Sequence, residues 1–434
     1  MSIEQLYNLY CQYPVITTDS RKVTQGSIYF ALKGDIFDGN NFAAEAIRNG
    51  ACFAVIDNNN YLTDNCIIVE NALETLQNLA HFHRKSIKTS IIAITGTNGK
   101  TTTKELIHSV LSKKYSVQST TGNLNNQIGV PLTLLSMTNN TQIGVVEMGA
   151  NHPHEIEFLC NIAEPDYGII TNIGKAHLEG FGGYQGVINT KNELYQYLIN
   201  NNSLIFYNSD NTVLSQLLVN YSNKVSYGLI SGNNCVGKIQ SGDPYLSIEV
   251  NKVIDSKYAD SCKINSQLFG DYNAENILAA CSVGLFFKLS LEEIQEAITS
   301  YTPNNNRSQI KVTRNNKLIL DCYNSNPSSC ETAIRNFISL KGNNKTIILG
   351  DMFELGKYAE EEHKKILDLV ISLRECKVYL VGNCFKSLAD EYKIIAFSNT
   401  NDLRTWLTDY PLLNQVILIK GSRGNKLESV IDLL

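Results

Sequence analysis

The sequence has little that would direct the chain to a membrane or to nucleic acid. Its formal net charge is -5, with 37 basic and 42 acidic residues among 434. Nucleic acids and anionic lipids bind basic surfaces, so we expect neither partner. No apolar run approaches the roughly 20 residues that cross a bilayer, and the opening stretch MSIEQLYNLYCQYP has no basic or apolar signal segment. We therefore expect a cytoplasmic protein without a signal peptide and without membrane insertion.

Cysteine spacing and proline content exclude two further classes. The 11 cysteines are scattered and form no CxxC pair, so neither a zinc ribbon nor a disulfide framework is indicated. Only 8 prolines are present, and there is no low-complexity linker. The remaining composition, 43% hydrophobic and 18% charged, is typical of globular proteins. At about 100–200 residues per domain, this length predicts several domains.

Apolar runs and helical patterns divide the chain into three units, which predicts an α/β protein of three domains. Residues 1–85 contain short mixed elements and predict a small α/β domain. In residues 86–302, apolar runs such as SIIAIT and YGIITNIG alternate with helical patterns, which predicts a parallel-sheet domain like those of phosphate-loop NTPases. Residues 303–434 repeat the alternation and predict a Rossmann-like domain. That domain lacks GxGxxG, so no nicotinamide cofactor is assigned.

The stretch AITGTNGKTTTKE, residues 93–105, has the composition of a phosphate-binding loop. An apolar strand enters it, and a helix predicted from Thr102 to about Lys113 follows. This order is the context that a phosphate loop requires. Because Ile94 stands where the full GxxxxGK(S/T) pattern has its first glycine, the loop is a shortened variant. The alternative is a tight glycine turn with an exposed lysine, which the flanking strand and helix disfavour.

The groups in this loop suit a nucleoside triphosphate. Backbone N–H groups of Gly96–Gly99 and the following helix N-terminus can hold phosphate oxygens. The Lys100 ammonium can reach the terminal phosphates, and the Thr101 hydroxyl can ligate Mg²⁺. The sequence therefore predicts a nucleoside triphosphate bound with magnesium.

Three later residues are candidates to complete the site. Glu147 follows an apolar strand, where a carboxylate can bind Mg²⁺, although a surface or helix-capping glutamate fits as well. His177 follows another strand, and its imidazole can ligate a metal, but a lone histidine is more often structural. Lys191 lies in a helical pattern, and composition favours a solvated side chain. These residues alone leave a kinase, an ATPase, a GTPase and a ligase open.

Segments along nearly the whole chain resemble those of the Mur ligase family, which builds the peptide stem of bacterial peptidoglycan. The segments are TDSRK, GTNGKTTTKE, TTGNLNNQIGVPLTLL, EMGANHPHEI, TNIGKAHLEGFGG, GDYNAENILAA, DCYNSNP, LGDMFELG and IKGSRG. Within the family, TTGNLNNQIGVP, YNSNP and GDMFELG resemble the type that joins D-alanyl-D-alanine to UDP-N-acetylmuramoyl-tripeptide. The resemblance implies that ATP activates the tripeptide carboxylate as an acyl phosphate, which the dipeptide amine then attacks, with ADP and phosphate as products.

The resemblance also implies a role for each residue of the catalytic site. Thr101 and Glu147 would hold a first Mg²⁺, while Glu147 and His177 match positions associated with a second. Lys191 matches a lysine that is carbamylated in the family, which would turn it into a metal-orienting anion. The implied catalytic residues are Lys100, Glu147, His177, Lys191 and Arg307, and the implied metal-binding residues are Thr101, Glu147, His177 and Lys191.

Nucleotide contacts are implied along two domains. Asn273 and Asn276 match residues near the adenine, although helix capping explains them equally well without the family. Arg307 matches an arginine placed to reach the γ-phosphate. Asp321 matches a ribose contact, but Leu320 stands where a second acid is common. The implied ATP-binding residues are Gly96, Thr97, Asn98, Gly99, Lys100, Thr101, Thr102, Asn273, Asn276, Arg307 and Asp321.

Three further segments match substrate-binding parts of the family. TDSRK and FALKG match the end that holds the uridine diphosphate, but Asn40 and Asn41 replace the common histidine and aspartate of DGHDF. TTGNLNNQ matches a loop that faces the muramoyl tripeptide. YNSN and the loop from Lys420 to Arg423 match the face for the dipeptide. The implied substrate-binding residues are Ser20, Arg21, Gly34, Thr120, Thr121, Asn123, Asn126, Tyr323, Asn324 and Asn326.

Two other functions compete with this one. Folylpolyglutamate synthase has a similar phosphate loop, but it lacks a unit like TDSRK…FALKG, which this chain has. The second alternative is a regulator that binds ATP without catalysis. It is disfavoured because each position expected to be catalytic carries the expected residue. By similarity to the family, we expect a monomer.

Overall fold

The computed structural model describes residues 1–254, 257–304, 306–342, 344–373 and 376–434. Three β-sheets follow one another along the chain. The first is a parallel sheet in the order β1-β2-β3-β4. Its strands are β1 (Ile16–Thr17), β2 (Ile28–Phe30), β3 (Phe53–Ile56) and β4 (Cys66–Ile68), and its helices are α1 (Ile3–Gln12), α2 (Ala43–Arg48) and α3 (Ala72–Ser86).

Helix α3 connects this first unit to the second. Its apolar face is buried against the first sheet and against the central unit. At its C-terminal end, Arg84 Nε donates to the Ala163 carbonyl at 2.8 Å, and His83 Nε2 lies 3.0 Å from the Met137 carbonyl oxygen. The first unit is therefore packed on the central one through both apolar and polar contacts.

The central sheet has nine strands, in the order β13-β12-β11-β10-β9-β8-β5-β7-β6. Its strands are β5 (Ser90–Thr95), β6 (Val117–Ser119), β7 (Ile143–Glu147), β8 (Tyr167–Ile170), β9 (Leu204–Asn208), β10 (Lys224–Gly228), β11 (Cys235–Ser241), β12 (Tyr245–Ile254) and β13 (Lys257–Phe269). Its helices are α4 (Lys100–Leu111), α5 (Gly129–Leu135), α6 (Glu155–Ala163), α7 (Leu178–Phe181), α8 (Tyr184–Asn200), α9 (Thr212–Leu217), α10 (Asn273–Phe286) and α11 (Leu291–Ser300).

The predicted parallel sheet is present from β6 to β11, but β11, β12 and β13 pair antiparallel. Sequence analysis did not predict these strands. Polar residues alternate along them, as in YLSIEVNKVI, because they lie at the edge of the sheet and are only partly buried. Helix α4 begins at Lys100, earlier than predicted, since Gly99 ends the loop in a left-handed conformation.

The last sheet has the order β14-β15-β19-β16-β17-β18, and it is parallel except for β14. Its strands are β14 (Gln309–Val312), β15 (Lys317–Asp321), β16 (Lys345–Gly350), β17 (Cys376–Val381), β18 (Ile395–Phe397) and β19 (Val416–Lys420), and its helices are α12 (Pro327–Ser339), α13 (Ala359–Leu373), α14 (Asn383–Tyr392) and α15 (Thr400–Asp409). The three-domain α/β fold class is thus confirmed. The division at 1–85, 86–302 and 303–434 remains a proposal, in which each unit contains one sheet.

Candidate functional site

Three neighbouring strands of the central sheet bring the candidate residues together. The order β8-β5-β7 places the carboxyl ends of these parallel strands side by side. The phosphate loop follows β5, Glu147 ends β7, and the segment that contains His177 follows β8. Ligands of open α/β sheets bind at this edge. The sheet order therefore assembles a site from segments that are far apart in the sequence.

The phosphate loop is a tight turn that needs its glycines. Gly96 and Gly99 have φ angles of 140° and 78°, which L-residues with side chains rarely adopt. A Cβ atom at Gly96 would lie 2.0 Å from Thr171 Oγ1, and one at Gly99 would lie 2.5 Å from Asn276 Oδ1. The backbone therefore runs against two neighbouring elements without room for side chains.

Two of the predicted phosphate donors already have partners. The Thr97 N–H donates to the Asn172 carbonyl, and the Asn98 N–H donates to Asn172 Oδ1, both at 2.9 Å. This corrects the expectation that N–H groups along the whole of Gly96–Gly99 face a phosphate. The first N–H groups of α4 have no partner within the helix and point out of its N-terminus. The anion site is therefore centred on the start of α4.

Lys100 folds back over the loop. Its Nζ donates to the carbonyl of Gly96 at 2.7 Å and to that of Thr97 at 3.0 Å. Burial lowers the pKa of Lys100 to about 8, with Glu147 opposing the shift and Arg307 adding to it. A phosphate nearby would favour the charged form, so the ammonium is placed to neutralise an anion at the mouth of α4.

Glu147 is a buried carboxylate and not the surface residue that remained open from the sequence. Its Oε1 accepts from Asn125 Nδ2 at 2.7 Å, and its N–H donates to Thr120 Oγ1 at 2.9 Å. The second oxygen, Oε2, is buried and has no hydrogen-bond partner among the described residues. An unsatisfied buried carboxylate oxygen costs free energy, and a cation would satisfy it. The residues at this point therefore fit a Mg²⁺ ion.

Lys191 is also buried, which corrects the solvated side chain that composition favoured. Only 2% of it is exposed, and its Nζ lies 5.3 Å from the centre of the Phe181 ring. Among the described residues, this ammonium has no hydrogen-bond or ion-pair partner. Burial, followed by repulsion from Lys100, lowers the pKa of Lys191 to about 7. Near neutral pH the amine is therefore substantially uncharged and nucleophilic.

His177 lies at the junction with the C-terminal unit. It precedes α7, with a φ of 49°, and its Nδ1 contacts the Glu354 carboxylate. Glu354 belongs to the GDMFELG segment after β16. This contact leaves Nε2 as the nitrogen free to serve as a ligand, and a carboxylate behind a metal-binding histidine is common.

The C-terminal unit adds an arginine and an ion pair. The Arg307 guanidinium lies 3.9 Å from the centre of the Tyr323 ring, and its Nε is buried without a partner in the described parts of the chain. Asp321 and Lys420 end the paired strands β15 and β19, and their charges are 2.9 Å apart. These groups line the same cavity as the phosphate loop.

Asn273 and Asn276 open helix α10, where they form a buried amide network. Asn273 Nδ2 donates to the Phe269 carbonyl at 2.7 Å, and Asn276 Nδ2 donates to Asn273 Oδ1 at 2.8 Å. Thr103 of α4 donates to Asn276 Oδ1 at 3.0 Å. The amides therefore join α10 to the phosphate-loop helix, in addition to lining the cavity.

One cavity of 1020 Å³ brings most of the predicted residues together. Its lining includes Gly96, Thr97, Asn98, Gly99, Lys100, Thr102, Asn123, Asn126, Glu147, His177, Lys191, Asn273, Asn276, Arg307, Asp321, Tyr323, Asn324 and Asn326. Thr101 is buried beside it, outside its described lining. Thr120 and Thr121 do not line it and instead line a separate cavity of 580 Å³.

The predicted nucleotide-sugar residues lie apart, in the first unit, and do not line the described wall of the main cavity. These are Ser20, Arg21 and Gly34. The Arg21 side chain is 85% exposed and pairs with Asp19 at 2.9 Å. Asn40, in contrast, is buried and donates to both Asp38 and Asp57. The asparagine that stands in place of the common histidine therefore holds the loop around Asp38 through buried hydrogen bonds.

Several residues of the site were not singled out from the sequence. Asn125 binds Glu147, and Lys104 donates to the Thr120 carbonyl at 2.7 Å. Lys420 was expected at the face for the dipeptide, but its ion pair with Asp321 was not predicted. Lys104 carries a signal that could have been used, because it lies four residues after Lys100 and therefore on the same side of α4.

Models of protein families match three consecutive parts of the chain. They are described as the Mur ligase family catalytic domain at residues 12–89, the Mur ligase middle domain at 94–284 and the Mur ligase glutamate ligase domain at 306–423. The UDP-N-acetylmuramoyl-tripeptide–D-alanyl-D-alanine ligase of Bacillus subtilis is 32% identical over 434 residues, which cover 96% of this chain and 92% of the relative. The chain belongs to the Mur ligase family. The family predicted from the motifs is thereby confirmed.

Solved structures resemble this Mur ligase along its length. A crystal structure of MurF from Acinetobacter baumannii has a TM-score of 0.87 and 28% identity, covering 100% of this chain and 98% of that one. MurF from Thermotoga maritima, solved in complex with ADP, has a TM-score of 0.83 and 26% identity, covering 97% of each chain. The likeness therefore includes all three sheets. Among the described helices of this Mur ligase, none is long and apolar enough to cross a membrane.

Proposed function

We propose that this Mur ligase joins D-alanyl-D-alanine to UDP-N-acetylmuramoyl-tripeptide, with ATP converted to ADP and phosphate. The relatives named for this reaction cover nearly the whole chain. The observation that carries the proposal is the shared cavity, where a phosphate loop, an unsatisfied buried carboxylate and cationic groups of two units meet. Such an arrangement suits the transfer of a phosphoryl group between anions.

The residues would act in two steps. Lys100 and the N-terminus of α4 hold the β- and γ-phosphates. Arg307, from the C-terminal unit, contacts the γ-phosphate. The tripeptide carboxylate attacks the γ-phosphorus, and ADP leaves. The dipeptide amine then attacks the resulting acyl phosphate, and inorganic phosphate leaves. The role of the chain is to hold these anions in line and to exclude water that would hydrolyse the acyl phosphate.

Magnesium would be held by Glu147, with Thr101, His177 and a carbamylated Lys191 completing its surroundings. When bound, the ion neutralises charge on the phosphates and the carboxylate. Glu147 supports this assignment through its unsatisfied oxygen. Lys191 supports it through its low pKa of about 7, since a neutral amine is the form that reacts with carbon dioxide. Its carbamate would carry the negative charge that this buried position otherwise lacks.

The other substrate contacts are assigned by position. Asn123 and Asn126 would face the tripeptide, and Tyr323, Asn324 and Asn326 would face the dipeptide, since all line the cavity. Ser20, Arg21 and Gly34 would hold the uridine diphosphate in the first unit. We further propose a cytoplasmic monomer that serves peptidoglycan precursor synthesis.

Phosphate release by the purified protein tests the function. The assay contains magnesium-ATP and UDP-N-acetylmuramoyl-tripeptide, with or without D-alanyl-D-alanine. We expect release that requires both the nucleotide-sugar peptide and the dipeptide. Release with a pteroylglutamate and glutamate would favour folylpolyglutamate synthase instead, and ATP binding without turnover on any stem peptide would favour the silent regulator.

A further inference from the structure

Lys104 is buried one helical turn beyond Lys100, although a lysine usually keeps its charge in water. Only 2% of it is exposed. Its Nζ donates to the Thr120 carbonyl at 2.7 Å and lies 3.8 Å from Glu105 Oε1. Burying an ammonium costs free energy unless it is well bonded. Among the described residues, the one close acceptor of this ammonium is the Thr120 carbonyl, so the burial of Lys104 points to a role for that bond.

Thr120, whose carbonyl accepts that bond, makes two further hydrogen bonds to strand β7. Its N–H donates to the Val145 carbonyl at 3.0 Å, and its Oγ1 accepts from the Glu147 N–H at 2.9 Å. With Lys104 on its carbonyl, Thr120 is tied to strand β7 and to helix α4 at once. Thr120 thus connects the helix of the phosphate loop to the strand that carries the buried carboxylate.

The chain continues from this junction into a loop of asparagines, residues 120–127, which we call the asparagine loop. Asn125 donates to Glu147 Oε1 and accepts, through its carbonyl, from the Gly149 N–H, both at 2.7 Å. The Gln127 carbonyl accepts from Gln77 of the first unit at 3.0 Å. Asn123 and Asn126 line the main cavity. The loop is therefore held at its centre and at its end, while Lys104 holds its start.

We propose that Lys104 is a positioning residue for the muramoyl tripeptide, which it serves by fixing the asparagine loop to the phosphate-loop helix. The proposal rests on the proposed function, which assigns this loop to the tripeptide. Lys104 lies on the same helix whose N-terminus would hold the phosphates. Helix α4 would therefore fix the position of the nucleotide and, through the asparagine loop, that of the tripeptide carboxylate.

Replacement of Lys104 by methionine tests this role, because methionine fills similar space but cannot donate to Thr120. The matched control is Lys114→Met, which removes a lysine that donates to the Lys288 carbonyl at 2.8 Å just after α4. Calorimetry without turnover measures the affinity for UDP-N-acetylmuramoyl-tripeptide and, separately, for ATP. Hydrogen exchange measures the opening of residues 120–127.

For Lys104→Met we expect the tripeptide Kd to rise about tenfold and the ATP Kd to change less than about twofold. Amides of the asparagine loop should exchange faster than in wild type, and Lys114→Met should change neither quantity. Unchanged tripeptide affinity and exchange would overturn the proposal. An equal loss of affinity for both ligands, with a lower melting temperature, would also overturn it by assigning Lys104 to general stability.

A second variant covers the case in which Lys104→Met does not fold. Lys104→Gln keeps a neutral N–H donor, so we expect a smaller rise of about threefold in the tripeptide Kd. No rise, with unchanged exchange, would overturn the proposal. Failure of the wild-type protein to bind the tripeptide would count against the proposed function. Hydrogen exchange needs no substrate, so the exchange of residues 120–127 would still show whether Lys104 holds the asparagine loop.

Discussion

Lys100 and Lys191 illustrate how burial prepares single side chains for different chemistry. Both line the same cavity, and burial lowers the pKa of each, to about 8 and about 7 respectively. Lys100 bonds two loop carbonyls, so it stays available as a cation when phosphates arrive. Lys191 has no such acceptor among the described residues, and repulsion from Lys100 adds to the effect of burial, so the neutral amine is favoured. Two residues of one type thus take opposite roles because their surroundings differ.

Lys100→Ala should abolish turnover and leave the fold intact. The substitution removes the cation at the mouth of α4, but the loop keeps its glycines and its bonds to Asn172. We expect phosphate release to fall at least about 1000-fold, since the lost group stabilises charge in the transition state. Lys114→Ala is the control and should retain wild-type release. Near wild-type turnover in Lys100→Ala would refute the phosphate-loop assignment.

Lys191→Ala should be almost inactive and partly rescued by a short carboxylate such as formate. The added anion would occupy the space that the carbamate leaves. Lys345→Ala is the control, because Lys345 is also a buried lysine but is not among the described lining residues of the cavity. The Lys345→Ala variant should be less stable than wild type, and formate should not increase its activity. Full activity of Lys191→Ala without rescue would show that carbamylation is not needed.

The same lysine should make folding depend on pH. Between the folded pKa of about 7 and the ordinary value of 10.5, the unfolded chain binds a proton that the folded chain lacks, so stability rises with pH in this window. In buffer free of carbon dioxide, Lys191→Met should therefore be more stable than wild type by about 4 kcal/mol at pH 7. The gain should fall toward pH 10. Urea unfolding of both proteins at several pH values measures it, and a gain independent of pH would contradict the assignment.

Among the loops, the turn between β5 and α4 depends directly on its glycines. Its φ of 140° at Gly96 and the contact with Thr171 leave no space for a side chain. The loop after β8 supports it from one side, and α10 supports it from the other. The geometry of the anion site is therefore set by two elements that lie more than seventy residues downstream.

Gly96→Ala should damage this element and with it ATP binding. The new Cβ would lie 3.0 Å from the Thr171 backbone nitrogen as well as against its hydroxyl, so the loop has to shift. We expect a loss of about 2–4 kcal/mol in stability and a markedly weaker affinity for ATP. Gly26→Ala is the control: its φ is also positive, 85°, but nothing lies within 4 Å. It should lose about 1 kcal/mol and bind ATP normally.

At the level of the complete protein, the site exists only where two units meet. Asn326 Nδ2 donates to Asn98 Oδ1 at 2.8 Å, Lys175 pairs with Glu362 at 2.9 Å, and the hydroxyls of Tyr272 and Ser308 are 2.7 Å apart. All three contacts cross from the central unit or its last helices to the C-terminal unit. They bring Arg307 and Asp321 to the same cavity as the phosphate loop.

Asn326→Asp isolates one of these contacts. Asn326 caps α12 by accepting from the Ser329 N–H at 2.9 Å, and aspartate caps a helix equally well. The amide donor to Asn98 is lost, however, and a negative charge faces the phosphate loop. We expect the KM for ATP to rise about tenfold with the melting temperature nearly unchanged.

The matched control for this variant is Asn399→Asp, which makes the same change at the cap of α15, where Asn399 accepts from the Asp402 N–H at 3.1 Å. It should leave the KM for ATP unchanged. An unaltered KM in Asn326→Asp would show that the junction does not act on the nucleotide.

The sequence predicted most of the strands and helices that surround the cavity. Apolar runs such as SIIAIT and QVILIKG coincide with β5 and β19 because buried parallel strands are apolar on both faces. The edge strands β12 and β13 were not predicted, although the alternation of apolar and polar residues in YLSIEVNKVI is typical of a half-buried strand. Single functional residues such as Lys100 were found because their loop has a spacing set by phosphate geometry.

The composition and local spacing of the chain were enough to specify an α/β protein with a phosphate loop, because short-range sterics and periodic burial act within a few residues. They could not decide whether Glu147 and Lys191 are buried. That depends on the order β8-β5-β7 and on the helices that cover it. Nor could they assign partners such as Lys104 to Thr120 or His177 to Glu354. Those pairs join distant segments, so only the packing of these segments on one another sets their distances.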